Sequence, residues 1–122
     1  MAEQKPNSKS LNLARAYLGK EVAVEIDRPL GSKHPQYDMV YEVNYGFVPG
    51  VMAPDGEALD AYYLGSEPVA AASGAVIAVV HRLDDDDDKL VVAPAGKDFT
   101  EEEIKKLVHF QEKYFDYEIV KS

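Results

Sequence analysis

The sequence predicts an α+β fold that is mainly β, a small barrel of four to six strands closed by a C-terminal amphipathic helix. Three observations lead there. Residues 21–27, EVAVEID, alternate apolar and polar side chains with the period of a strand. The β-rich runs AVIAVVHRL (75–83) and KLVVAP (89–94) flank five consecutive aspartates, Asp84 to Asp88, as the two arms of a hairpin would. After Thr100 the apolar period lengthens from two to that of a helix.

Taken in order, residues 1–10 are polar and read as a flexible tail ahead of a single domain, 11–122. Ser10 is placed to cap a short helical turn, LNLARAYLG, which Gly19 would close. In the strand that follows, Val22, Val24 and Ile26 share one face while Ala23, Glu25 and Asp27 share the other. Two prolines and a glycine make RPLGSKHPQYDM a loop. Strand character resumes in VYEVNYGFV (40–48), APDGE is a turn, and LDAYYLG is a strand again. SEPVAAASG connects to the hairpin. Thr100 and Glu103 form a capping box, and Phe99 is placed to staple onto Ile104. Ile104, Leu107, Val108, Gln111, Tyr114 and Phe115 then line one helical face.

Composition narrows the function. The 122 residues are 46% hydrophobic and 29% charged, which suits one globular domain with a modest core. A net charge of −9 repels nucleic acid and anionic membranes. It also repels anionic small molecules, unless bound cations reverse the local sign. No apolar run approaches the roughly 18 residues of a membrane span, and the polar start lacks a secretory signal. The absence of cysteine removes disulfides, thiol nucleophiles and zinc–thiolate sites. The expected location is the cytoplasm.

Two acidic clusters could carry chemistry. In PDGEALD, Asp55, Glu57 and Asp60 leave a tight turn and enter a strand, and Asp60 directly precedes an apolar–aromatic run where a carboxylate needs a partner. The aspartate run is the second. Each alone reads as a solvated turn, since neighbouring carboxylates repel by only about 1 kcal/mol in water. Two such clusters on one small barrel favour a divalent cation between them, and carboxylates and water are what Mg²⁺ prefers. Tyr45 could be a core aromatic, Glu25 an exposed strand residue, and His109 a packed histidine.

In chain order, these residues resemble the soluble family I inorganic pyrophosphatases. DGEALD resembles their D-x-D-x-x-D signature with glutamate in the middle, VAVEI the strand carrying their first active-site glutamate, and VNYGFV their N-Y-G-Y/F stretch. DDKLVVAP resembles their acidic hairpin return, and HFQEKYF the helix that presents a tyrosine and then a lysine. The similarity covers about residues 20–118.

The resemblance implies a five-stranded, OB-like barrel, a homo-oligomeric assembly and Mg²⁺-dependent hydrolysis of pyrophosphate to two phosphates. It implies Glu25, Asp55, Asp60, Asp84 and Asp87 as metal ligands, Glu57 beside the nucleophilic water together with Asp55, and Lys89 and Tyr45 as catalytic and substrate-facing groups. Tyr114 would also face the substrate. The family's hairpin lysine and arginine have no match, leaving Arg28, Lys33 and His34 as candidates, and Phe115 stands where the family's helix carries lysine. Hydrolysis of another small phosphorylated compound, or a non-catalytic metal- or phosphate-binding module, remain the alternatives.

Overall fold

Alternation along each strand sends one set of side chains into a barrel and the other onto its outer wall. The computed structural model describes residues 9–36, 38–53, 56–83 and 87–121, with side chains from Leu11 onward. The elements are α1 (Lys9–Arg15), β1 (Glu21–Arg28), β2 (Asn44–Met52), β3 (Ala58–Tyr63), β4 (Ala71–Arg82), β5 (Lys89–Ala93), α2 (Glu101–Glu112) and β6 (Tyr117–Lys121). The sheet order is β1-β2-β3-β5-β4-β6, and a further β1–β4 pairing closes the first five strands into the expected barrel. All pairings are antiparallel except β3–β5.

β4 is long because two strands share one of its edges while β5 lies along the other. Its first half pairs with β1 and closes the barrel, while its second half pairs with β6. A register shift between Val76 and Ala78 separates the two parts. Val76 and Val79 therefore face the barrel interior, and Ala78 and Val80 face outward. In β5, Leu90 and Val92 point in while Val91 points out, so the run is buried on both faces.

Two cores result. Val24, Ile26, Val48, Leu59 and Leu90 fill the barrel, with Leu11 and Ala14 of α1 against them. Tyr62, Val80 and Val91 on the outer wall receive Ile104, Val108 and Phe110 of α2 and Ile119 of β6. The capping box of Thr100 and Glu103 starts α2 as expected.

Several boundaries differ from the sequence reading. Ser10 is itself helical, so it does not cap α1, although Gly19 at φ +84° ends the helical turns and donates to Val76 O. Residues 1–8 of the expected tail lie outside the described residues. β2 starts at Asn44, because residues 31–34 and 39–41 form the arms of a narrow hairpin, with a Lys33–Val40 bridge and backbone bonds from Gly31 N to Tyr41 O, Tyr41 N to Ser32 O and His34 N to Met39 O. The connection 66–74 ends inside β4, and β6 is an additional strand outside the barrel. Its alternation is short and half-buried, which gives little signal in sequence.

Gly46 sits where β1 crosses β2. A Cβ there would overlap the carbonyl of Glu25, which is backbone and cannot turn away. We expect Gly46→Ala to cost at least the 1–3 kcal/mol typical of overpacking, read as a lower midpoint in urea unfolding. An unchanged midpoint would show that the strands separate without penalty.

Candidate active site

The outer-wall residues of β2, β3 and β5 meet near the end where β3 and β5 begin. Asp60 follows inward-facing Leu59 and so points outward, and its cross-strand partner is Phe47. Tyr45 opposes Tyr62 on the same face, one diagonal step from Asp60. The parallel register of β3 and β5 sets Lys89 beside Asp60. The stretch around Tyr45 divides its work. Asn44 is buried and ties three backbone groups together (Leu30 N, Val69 N and Glu67 O), Tyr45 faces the site, and Gly46 permits the strand crossing.

Lys89, only 2% exposed, donates from Nζ to Asp60 Oδ2 at 3.0 Å and pairs with Asp87 Oδ2 at 3.2 Å. The two expected acidic clusters thus converge, both within reach of one ammonium and well inside the roughly 8 Å a metal and one bridging water would span. Asp88, one residue on, turns away. It is buried, accepts from Arg82 N at 3.0 Å and meets His81 Nδ1 at 2.9 Å.

Behind this pair lies a second buried cation. Arg82 donates from Nε and Nη2 to the two oxygens of Glu112, at 2.9 and 3.0 Å, and from Nη1 to Asp87 at 3.3 Å. Its guanidinium lies 3.6 Å from the centre of the Phe115 ring. Tyr62 donates to Glu112 at 2.7 Å and accepts from Gln111 Nε2 at 2.6 Å. Burial opposes the charge on Arg82, but the Glu112 hydrogen bonds and charge, with Asp87, outweigh it and raise its pKa. Burial also raises Tyr45 well above its ordinary value, reinforced by the charge of Asp60, a hydrogen bond to that carboxylate, and Asp87; Arg82 opposes the shift. Tyr62 is raised the same way, by burial and then Glu112. Both hydroxyls stay protonated and serve as donors.

A cavity of about 650 Å³ opens over these groups, lined among others by His34, Asp38, Met39, Tyr114 and Phe115. Of the residues singled out in sequence, Tyr45, Asp60, Asp87, Lys89, Tyr114 and His34 line it. Glu25 is exposed on the same wall as Asp60, two strands away with Phe47 between, and Glu57 is exposed just before β3; neither lines the cavity. Arg28 instead hydrogen-bonds to Tyr41 and the Asp27 carbonyl, and Lys33 is exposed on one arm of the narrow hairpin. Asp55 and Asp84 lie outside the described residues. His109 packs beside Tyr117, with Nδ1 3.1 Å from its hydroxyl. Sequence reasoning missed Arg82 and Glu112. The available signal was parity, since Arg82 shares the buried outer face of Ala78 and Val80, where a charge requires a partner.

Asp60 and Asp87 suit Mg²⁺, which takes one or two direct carboxylates and keeps several waters. Among the described residues no three His, Cys, Asp or Glu side chains gather as a metal cluster.

The family model of inorganic pyrophosphatase matches residues 17–119, most of the chain. The chain belongs to the inorganic pyrophosphatase family. It is 32% identical to the inorganic pyrophosphatase of Aeropyrum pernix over 112 aligned residues, covering 78% of this chain and 61% of that protein. The chain therefore spans about three fifths of the length of the curated relative it matches. Among solved structures, the Ehrlichia chaffeensis inorganic pyrophosphatase superposes with a TM-score of 0.68 at 21% identity, covering 85% of this chain and 87% of the other. The Neisseria gonorrhoeae inorganic pyrophosphatase superposes with a TM-score of 0.57 at 27% identity, covering 81% and 75%. The pyrophosphatase fold here thus keeps the barrel, with Arg82 stacked on the phenylalanine of its C-terminal segment.

Replacing Glu112 with leucine leaves Arg82 buried without its main partner, and such losses typically cost 3–5 kcal/mol. We expect Arg82→Leu and Glu112→Leu each to lower the unfolding midpoint strongly and the double variant to recover much of the loss. Additive losses in that cycle would mean the pair is not coupled.

The raised tyrosines give a second expectation. The unfolded chain loses phenol protons near pH 10, before the fold does, so their contribution is intact below pH 10 and declines above it. Stability measured from pH 9 to 12 should fall less steeply in Tyr62→Phe than in the parent. Equal slopes would exclude Tyr62 as a source.

Proposed function

We propose that this chain hydrolyses a phosphoanhydride with Mg²⁺, inorganic pyrophosphate being the default substrate and two phosphates the products. The observation that carries the reading is the buried ammonium of Lys89 held between Asp60 and Asp87 at the wall of the cavity. An acidic protein has there a cation and a metal-suited carboxylate pair together, which is what an anionic substrate requires.

On this reading Asp60 and Asp87 hold Mg²⁺, with Asp55 and Asp84 completing the set by family resemblance. Glu25 and Glu57, outside the cavity wall, keep their expected roles through intervening water. When bound, Mg²⁺ neutralises phosphate charge and acidifies a coordinated water. Lys89 grips phosphate oxygens, Tyr45 donates its retained proton to one of them, and Tyr114 borders the opening. Arg28 and Lys33 add positive charge from the flank. Residues 11–122 act as one domain, homo-oligomeric by the same resemblance and cytoplasmic by composition. Neither nucleic acid nor membrane is a partner on this reading, which the net charge of −9 supports. Among the described residues no helix is long and apolar enough to cross a membrane.

Phosphate release from pyrophosphate, with and without Mg²⁺, tests the reaction. One charge-assisted hydrogen bond is worth about 1.5–3 kcal/mol, roughly 10- to 150-fold in rate. Release should be Mg²⁺-dependent and fall by at least that much in Lys89→Ala. A fast Mg²⁺-dependent enzyme indifferent to Lys89 would overturn the site. Mg²⁺ at 100 times its dissociation constant should also add about 2.7 kcal/mol to the parent's stability, and Asp60→Asn should erase most of that gain in thermal melts.

A further inference from the structure

We infer that the preferred substrate is an organic phosphoanhydride, a diphosphate joined to a planar ring system as in a nucleoside diphosphate, with bare pyrophosphate a poorer one. The inference rests on the phosphoanhydride chemistry proposed above and assigns its substrate class.

The cavity has two chemically different sides. Asp60, Asp87 and Lys89 make a charged floor, and Met39, Tyr114 and Phe115 contribute an apolar and aromatic wall. Pyrophosphate is anionic over its whole surface and gains nothing from that wall. A cavity of about 650 Å³ falls in the range that holds organic ligands with apolar bodies and a few polar anchors.

Charge points the same way. Arg82 borders the cavity, yet its Nε, Nη1 and Nη2 already donate to Glu112 and Asp87, and its flat face is stacked on Phe115. Lys89 is shared between two carboxylates. The floor therefore has little positive charge to give, and a diphosphate esterified at one end carries less negative charge than pyrophosphate. Tyr114 is 67% exposed beside the opening, an aromatic surface with Lys113 Nζ 5.4 Å from its ring centre. Stacked guanidinium and phenyl groups at Phe115 extend that aromatic border.

In the reaction, water adds to the terminal phosphorus and the bridging P–O bond breaks with its electron pair on the leaving oxygen. Inorganic phosphate and the organic monophosphate are released, and the proton lost by water passes to solvent. No oxidant or further reactant is needed.

Binding and turnover are measured separately. Calorimetry in Mg²⁺ compares α,β-methylene-ADP with methylenediphosphonate, neither of which can be cleaved at the bridge. We expect the nucleotide analogue to bind at least about tenfold tighter, the scale of one stacked base. Tyr114→Ser, at an exposed position, should remove most of that advantage by weakening the nucleotide analogue far more than the diphosphonate. Phe115→Lys should favour the diphosphonate. Equal affinities in the parent, or a Tyr114→Ser effect that is the same on both ligands, would overturn the inference. Phosphate release from ADP and pyrophosphate is then assayed with the same protein. Binding in the expected order without release from either compound supports the ligand class and overturns hydrolysis. Release from pyrophosphate with no preference for the nucleotide supports hydrolysis and overturns the ligand class.

Discussion

The ion pair of Arg82 and Glu112 fixes where the C-terminal helix meets the barrel. Glu112 is fully buried and Arg82 nearly so, and both oxygens of the carboxylate are used by the guanidinium. Apolar packing of Ile104 and Val108 would hold α2 against the wall in several nearby positions. A bidentate pair in low dielectric tolerates far less displacement, because a shift leaves a buried charge uncompensated. It therefore sets the position of Gln111, Tyr114 and Phe115, the helix-end groups at the cavity. Tyr62 ties the same carboxylate to the C-terminal end of β3, two residues from Asp60.

The aspartate run shows how neighbouring residues reach different environments. Asp87 faces the cavity with Lys89 and Arg82, whereas Asp88 is buried beside His81 and caps the backbone of Arg82. A solvated turn would leave both in water. Instead the descending arm of the hairpin alternates, and each carboxylate finds a donor on its own side. The two buried cations thus draw the end of an acidic stretch into the fold, so part of the net charge is neutralised internally.

Much of the barrel was legible in sequence because one periodic signal defined each strand. Val22, Val24 and Ile26 alternate, and the capping box of Thr100 and Glu103 marks the helix start. The missing parts had weaker local signals. β6 is five residues long with one fully buried position, Ile119, and the hairpin around Lys33 and Val40 is held by backbone bonds that leave no pattern in side chains. In the site, Asp60 was legible as a carboxylate lacking a partner, and Lys89 as the lysine of a motif. Their pairing depends on β3 and β5 running parallel, a long-range register that neither segment encodes alone. Arg82 and Glu112 were harder still, being thirty residues apart and meeting only after α2 folds back.

The same geometry explains why a phenylalanine is compatible with a position where the resembling family has lysine. A lysine at Phe115 would bring a third cation beside Arg82, and two cations so near each other repel by about 4 kcal/mol at a protein surface when about 4 Å apart. With Phe115 the guanidinium instead gains an aromatic face at 3.6 Å. Positive charge at this edge of the cavity is carried by Arg82 of β4, which Glu112 holds with two hydrogen bonds. Lys89 becomes the cation most directly poised over the carboxylates, and the space beside it is bounded by aromatic carbon. Phe115, just past α2, and Arg82 on β4 together border a cavity that has both charged and apolar lining.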